Sequence, residues 1–245
     1  MIKRKPVTHV GEIIYGVHPL LELLKAKQRK VLELYTLKPE PKVWKEIAAF
    51  LPKYPVTVHH LSREQLSHKA GTTDHQGVVA LVAPFAFRKS FFNPSKEPFL
   101  VLLDGVQDVR NFGAIIRTAY CTGVNGIIIC TRQAAPLSGA ALKASAGLAE
   151  RMPIFQASSV AHALQLLKES GYAVYVTALG AKQDATTLKY QKPLCVIIGS
   201  EGKGVSPEAL KAGTVITLPQ QVKDVSYNAS VAAGIVLFMI AYQQK

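Results

Sequence analysis

The sequence is poor in cysteine, tryptophan and charge. Its three cysteines, Cys121, Cys130 and Cys195, stand far apart among 245 residues. They have neither the close pairs of a zinc site nor the density of a disulfide framework, so a reduced, cytoplasmic setting is expected. Charged residues make up only 18% of the chain, but 49% is hydrophobic, which excludes wholesale disorder. Long apolar runs are also missing. The longest nearly uncharged one, Val231 to Tyr242, is well short of the roughly 20 residues that span a bilayer. The start, Met1-Ile-Lys-Arg-Lys-Pro6, is basic, yet no apolar signal core follows it. Neither secretion nor a membrane partner is expected. His59-His60, His68 and His75 lack metal-ligand spacing, and no metal is expected.

Positive charge is what the chain has in excess. It carries 29 Lys+Arg against 16 Asp+Glu, a net +13. Such an imbalance points to a polyanion partner, unless it serves solubility alone. Residues 1–98 hold 16 basic and 8 acidic residues, a balance of +8, and residues 99–245 hold 13 and 8, a balance of +5. The shorter first part is therefore the more basic.

The chain divides near Pro84-Phe-Ala-Phe-Arg-Lys-Ser-Phe-Phe-Asn-Pro-Ser-Lys-Glu-Pro98, whose three prolines and lack of period read as a linker. Its four phenylalanines require it to pack on something. The organisation expected is a domain over 1–83, a linker over 84–98 and a second domain over 99–245. Before the linker, periodicity predicts helices over Pro19–Ala26, Val43–Leu51 and Gln65–Ala70, and strands over Val31–Leu37, Val56–Val58 and Val78–Val82. After it, strands are predicted over Phe99–Leu103, Gly126–Cys130, Ala173–Thr177, Leu194–Ile198 and Val215–Leu218. Helices alternate with them, including one capped by Asn111 and one over Asn228–Tyr242. That alternation implies an α/β domain with a parallel, doubly wound sheet. Ligands on such sheets bind at the carboxyl ends of the strands, so the loops after Leu103, Thr177, Ile198 and Leu218 are the ones to watch.

Three segments at such ends carry chemistry-bearing residues. Gly199-Ser-Glu-Gly-Lys-Gly204 is a glycine-rich turn that lets backbone approach a polar or anionic ligand. It fails both phosphate fingerprints, since Ile197 and Gly204 break the Walker spacing and Pro207 breaks the dinucleotide one. Asp104 to Arg117 places Asn111, Gly113 and Arg117 around a helix start, which favours phosphate. Arg117 lies between Ile116 and Ala119 in an apolar helix, so a half-buried arginine with a partner is expected. Leu218 to Ser230 offers Ser226, Asn228 and Ser230 before a strongly apolar helix, where one cap would need only one of them.

In this order and at these separations the segments resemble the SpoU-type RNA 2′-O-ribose methyltransferases of the SPOUT superfamily. The first motif is present as Asn111-Phe-Gly-Ala-Ile-Ile-Arg-Thr-Ala119, and the second as Ile197-Ile-Gly-Ser-Glu-Gly-Lys-Gly204. The third is Leu218-Pro219 followed by Ser226 to Ser230. Lys143-Ala-Ser-Ala-Gly147 is similar to the family's middle loop. Less specifically, Ile14-Tyr-Gly-Val-His-Pro-Leu-Leu21 and His75-Gln-Gly-Val-Val-Ala80 resemble its accessory, ribosomal-protein-like RNA-binding domain.

The resemblance implies a catalytic domain with a deep trefoil knot, S-adenosyl-L-methionine as cofactor, RNA as substrate and a homodimer. It implies Asn111, Arg117, Glu201, Ser226 and Asn228 as catalytic positions. Cofactor contacts would come from Thr177, Ala178, Leu179, Gly199, Leu218 and Tyr227. Large-subunit rRNA is the substrate favoured over tRNA. Guanidinium groups stay protonated near neutral pH, so Arg117 is read as a phosphate ligand rather than a base. Ser226, Asn228 or the phosphate would then take the proton, and Glu201 would position Arg117 or belong to the loop alone. The third motif departs from the family pattern at Gln220, Val222, Asp224, Tyr227 and Ala229. That departure keeps a rival in view: a knotted RNA-binding protein without activity.

Overall fold

The structure is a computed structural model. It describes residues 11–131, 134–222 and 225–244. The basic start Met1 to Pro6 and the departure at Asp224 lie outside the described residues. Packing divides the chain into two compact units, one ending at Ala86 and the other beginning at Phe87.

The first unit runs β1 (Glu12–Tyr15), α1 (Val17–Ala26), β2 (Val31–Leu37), α2 (Trp44–Ala49), β3 (Thr57–Leu61), α3 (Arg63–Ala70) and β4 (Val78–Val82). Its sheet has the order β1-β4-β2-β3. β4 is antiparallel to β1 and β2, while β2 and β3 are parallel. The sequence reading missed β1. It is four residues long and exists because Ile13 and Ile14 find partners in Leu81 and Ala80, nearly seventy residues away. α3 is set by local chemistry. Ser62 and Gln65 form a capping box, and Gly71 closes the helix in the left-handed region. The Arg29 side chain is buried, donating from Nη2 to Glu12 at 2.5 Å and from Nε to the Ala83 carbonyl at 2.8 Å. A buried guanidinium needs such partners, and here they fasten the exit of β4 to the start of β1.

The second unit runs β5 (Phe99–Asp104), α4 (Val109–Cys121), β6 (Gly126–Cys130), α5 (Gly139–Ala144), a 3-10 turn at Leu148–Glu150, and β7 (Ile154–Ala157). It continues with α6 (Val160–Glu169), β8 (Ala173–Thr177), β9 (Gln183–Asp184), β10 (Leu194–Gly199), α7 (Pro207–Leu210), β11 (Thr214–Thr217) and α8 (Ala229–Gln243). Its sheet has the order β7-β6-β5-β10-β8-β11-β9 and every neighbouring pair is parallel. β5 and β6 are buried along their whole length, as covered parallel strands are. Each fully buried Leu or Ile there contributes about 1.5–3 kcal/mol. The chain builds β5, β6 and β7 outward, then crosses back to β8 on the other side, and β10 fills the gap between β5 and β8. The direction of winding reverses there, which is where such sheets open a ligand crevice.

The proline-rich stretch is shared between the units. Within the second unit, the Arg88 amide donates to the Ile154 carbonyl at 2.8 Å, and the Arg88 guanidinium holds Glu97. Phe92 is 3% exposed, and Phe91 meets Phe92, Phe155 and Tyr172 edge-on. Phe91 and Phe92 thus pack on the core of the second unit.

Candidate active site

α4 begins three residues earlier than Asn111 capping would allow. Asp108 is the N-cap, its carboxylate accepting the backbone N–H groups of Arg110 and Asn111, both at 2.8 Å. Asp108 outcompetes Asn111 for the cap because a carboxylate meets the helix dipole as well as the orphan donors. The expectation that Asn111 caps the helix is therefore corrected. It sits in the first turn, and its side-chain amide donates to the Glu201 carboxylate.

The second motif leaves the end of β10. Ser200 and Gly204 exchange backbone hydrogen bonds at 3.0 and 2.9 Å, closing Glu201, Gly202 and Lys203 into a tight turn. Gly204 has φ of +66°, a conformation that favours glycine. Gly199 is needed for a different reason. A Cβ there would lie 2.4 Å from the Gly204 carbonyl carbon and 2.5 Å from the Val205 nitrogen. The exit of the turn is fixed by Asp104, buried at the end of β5, whose Oδ2 accepts the Ser206 amide at 2.6 Å. The reading from sequence passed over Asp104, although a charge closing an all-apolar strand was the available signal.

The third motif leaves β11. Asn228 is the N-cap of α8. Its Oδ1 accepts the Ser230 amide at 2.9 Å, the Ser230 hydroxyl at 2.7 Å and the Val231 amide at 3.3 Å. Its Nδ2 donates to Glu201 at 3.0 Å. Gln220, one of the departures from the family pattern, donates from Nε2 to the carbonyls of Val222 and Val225 at 2.8 and 2.7 Å. It braces the loop that leads to Ser226.

One carboxylate oxygen of Glu201 thus joins all three motifs. The convergence is possible because α8 packs on α4, and the first turn of α4 and the N-cap of α8 both reach the turn after β10. Beside Glu201 lies a cleft of about 250 Å³ at the carboxyl ends of β8, β10 and β11. Thr177, Ala178, Leu179, Gly199, Leu218 and Tyr227 all line it, as do Glu201 and Ser226. Thr177 donates from Oγ1 to the Ile197 carbonyl at 2.8 Å, locking the ends of β8 and β10 together. Asn111, Arg117 and Asn228 are not among the lining residues.

Arg117 departs from expectation. It is exposed rather than half-buried, and it has no hydrogen-bond or ion-pair partner among the described residues. Glu201 does not position it, being occupied by Asn111 and Asn228. α4 keeps its apolar stripe inward through Phe112, Ile115, Ile116 and Ala119, and Arg117 falls on the other face.

Three comparisons bear on this arrangement. The profile of the SpoU rRNA methylase family matches residues 98–238. That match spans more than half of the chain and all three motifs. The chain belongs to the SpoU rRNA methylase family. A second profile, RNA 2′-O ribose methyltransferase substrate binding, matches residues 13–88 of the methylase. The 23S rRNA (guanosine-2′-O-)-methyltransferase RlmB of Shewanella oneidensis is 31% identical over 241 residues, covering 96% of this chain and 98% of that one. RlmB of Yersinia pestis is 30% identical, with 96% and 98% covered. Among solved structures, an AdoMet-bound rRNA methyltransferase from Sinorhizobium meliloti superposes with a TM-score of 0.80 at 25% identity, covering 96% of the methylase and 88% of that chain. The SpoU methyltransferase AviRb from Streptomyces viridochromogenes has the same fold, with a TM-score of 0.80 at 20% identity over 96% and 90%.

Proposed function

We propose that the methylase transfers a methyl group from S-adenosylmethionine to the ribose 2′-hydroxyl of a guanosine in large-subunit rRNA. The observation that carries the reading is the Glu201 carboxylate, which takes donors from Asn111 of the first motif and Asn228 of the third beside one cleft. The RlmB relatives, aligned over nearly the whole chain, support the substrate.

The cleft suits the cofactor. Leu179, Ile198, Ile216 and Leu218 give it apolar walls, the strand ends give it backbone edges, and Glu201 gives it a negative charge. When bound, S-adenosylmethionine supplies a methyl group on a good sulfonium leaving group. What remains for the protein is alignment and removal of one proton. Arg117, exposed and unpartnered among the described residues, binds the phosphate next to the target ribose and stabilises the developing alkoxide. Asn228 drops out as proton acceptor, because its Oδ1 already receives three donors. Ser226, which faces the cleft, and the RNA phosphate are left for that role.

The same reading includes the remaining expectations. The C-terminal segment is knotted, residues 1–83 deliver RNA, and the protein works in the cytoplasm. Among the described residues no helix is long and apolar enough to cross a membrane. A homodimer is supported by one face of α8, where Val231, Phe238 and Tyr242 are 49%, 62% and 68% exposed at helical spacing. Apolar side chains so aligned mark an interaction surface.

The test is isothermal calorimetry with S-adenosylmethionine, followed by ribose-methylation mapping of rRNA from a deletion strain. Cofactor heat and one lost 2′-O-methyl mark in large-subunit rRNA are expected. Absence of cofactor heat would favour the inactive RNA-binding reading, which the altered third motif motivates. A lost mark in tRNA instead would move the substrate.

A further inference from the structure

The end of α1, the start of β2 and the turn after α2 meet at one edge of the first unit. Lys25 Nζ lies 5.1 Å from the Phe50 ring centre, and Lys30 Nζ lies 5.8 Å from that of Tyr54. The Tyr54 hydroxyl accepts the Val31 amide at 2.9 Å, which fixes its ring at the head of β2. Phe50 and Tyr54 are nonetheless 38% and 39% exposed, whereas Tyr35 and Trp44 of the same unit are buried. Residues 25–30 and 50–54 contain five basic residues, Lys25, Lys27, Arg29, Lys30 and Lys53, and no acid. Arg29 is engaged internally with Glu12. Lys25 has a partner in Glu22 at 3.6 Å, a partly exposed pair of the kind that contributes little. Lys27, Lys30 and Lys53 are exposed.

We infer that this edge docks an unpaired stretch of RNA, with Phe50 and Tyr54 stacking on bases and the lysines meeting the flanking phosphates. The inference rests on the RNA-methyltransferase reading above. Lysines kept only for solubility would not need two large rings left in solvent beside them. A ring face that attracts an ammonium also accepts a base, and each lysine can swing from ring to phosphate. Paired RNA hides its base faces, so this chemistry selects loops, bulges and ends. The tether from Tyr54 to Val31 orders one ring before binding, which lowers the entropic cost of docking.

The test uses the full-length protein and fluorescence anisotropy with a single-stranded RNA of about 12 nucleotides and a duplex of the same length. The double variant F50L/Y54L is expected to lose about 10-fold or more in affinity for the single strand while binding duplex as the parent does. F50Y/Y54F keeps both rings but loses the Tyr54 tether. It is expected to bind the single strand somewhat more weakly than the parent yet clearly more tightly than F50L/Y54L, which separates stacking from a folding defect. The set K25Q/K27Q/K30Q/K53Q should lower the slope of log affinity against log salt by about 0.7 for each lysine on a phosphate. Parental single-strand affinity in F50L/Y54L would overturn the inference, as would equal losses for single strand and duplex. Calorimetry with S-adenosylmethionine on the same proteins keeps the two readings apart. Ring-dependent single-strand binding in a protein that gives no cofactor heat would uphold the docking edge and sink the methyltransferase reading.

Discussion

Glu201 accepts a hydrogen bond from the side-chain amide of Asn228 at 3.0 Å, across 27 residues of sequence. Asn228 spends its own oxygen capping α8, so the carboxylate is held by the same residue that starts the last helix. The turn after β10 is thereby coupled to the start of α8. Each charge-assisted hydrogen bond of this kind contributes about 1.5–3 kcal/mol when dry and less when exposed, and Glu201 is exposed. Glu201→Ala is expected to lower kcat/KM by about 10-fold with little change in melting temperature. Methyl transfer from labelled cofactor measures it, and unchanged turnover would show the link to be ornamental.

Arg117→Ala should lower methyl transfer by about 100-fold or more while cofactor affinity, read by calorimetry, stays at the parental value. Arg117→Lys should recover only part of the loss, since a point charge replaces a fork. An equal drop in cofactor affinity would make Arg117 structural.

Two glycines separate cleft geometry from fold stability. A Cβ on Gly199 meets Gly204 and Val205 backbone, and one on Gly213 meets the Val174 carbonyl oxygen at 2.2 Å. Both substitutions force backbone to move, but only Gly199 lines the cleft. Gly199→Ala is expected to weaken cofactor binding by about 10-fold or more. Gly213→Ala should lower the melting temperature and leave cofactor affinity of the folded protein alone. The reverse pattern would place the cofactor elsewhere.

Thiol chemistry should report one cysteine. Cys121 is exposed on α4, while Cys130 and Cys195 are buried. Burial, with Asp104 nearby, pushes the Cys130 thiol up to about 11, and burial pushes Cys195 up further. Thiolates are the reactive form. Mass spectrometry after brief iodoacetamide treatment at neutral pH should find modification at Cys121 alone.

Alkali should destabilise the second unit. Burial first, then Tyr175 and Asp184, push the Tyr190 phenol up to about 12, and its hydroxyl donates to the Ala185 carbonyl at 2.8 Å. Burial likewise raises Tyr172 to about 12. Unfolded phenols titrate near 10, so the folded state binds protons more tightly. This stability is fully present below about pH 10 and is lost as the pH climbs towards 12. Tyr190→Phe should cost about 1 kcal/mol at pH 8 and flatten the alkaline fall in denaturant midpoint. An unchanged fall would assign it to other groups.

Much of the architecture was legible because burial leaves a pattern in sequence. β2, β4, β6 and β8 fall where short, mostly apolar runs rich in β-branched and aromatic residues stand out. The strands that escaped, β1, β7 and β9, are two to four residues long and owe their existence to partners far away in the chain. The three motifs were also legible, since glycines and polar residues stand out against apolar surroundings. Their mutual contacts were not. Asn111 and Arg117 share one short motif, yet one turns to Glu201 and the other to solvent.

By itself the sequence determined the α/β class, the basic imbalance, and which residue types stand at the ends of the strands, because these follow from composition and period. Tertiary structure decided what those residues do. Inserting β10 between β5 and β8 and packing α8 on α4 brings residues 111, 201 and 228 to a single carboxylate oxygen. Sequence spacing carries no information on such a meeting, since it is set by long-range strand pairing and helix packing.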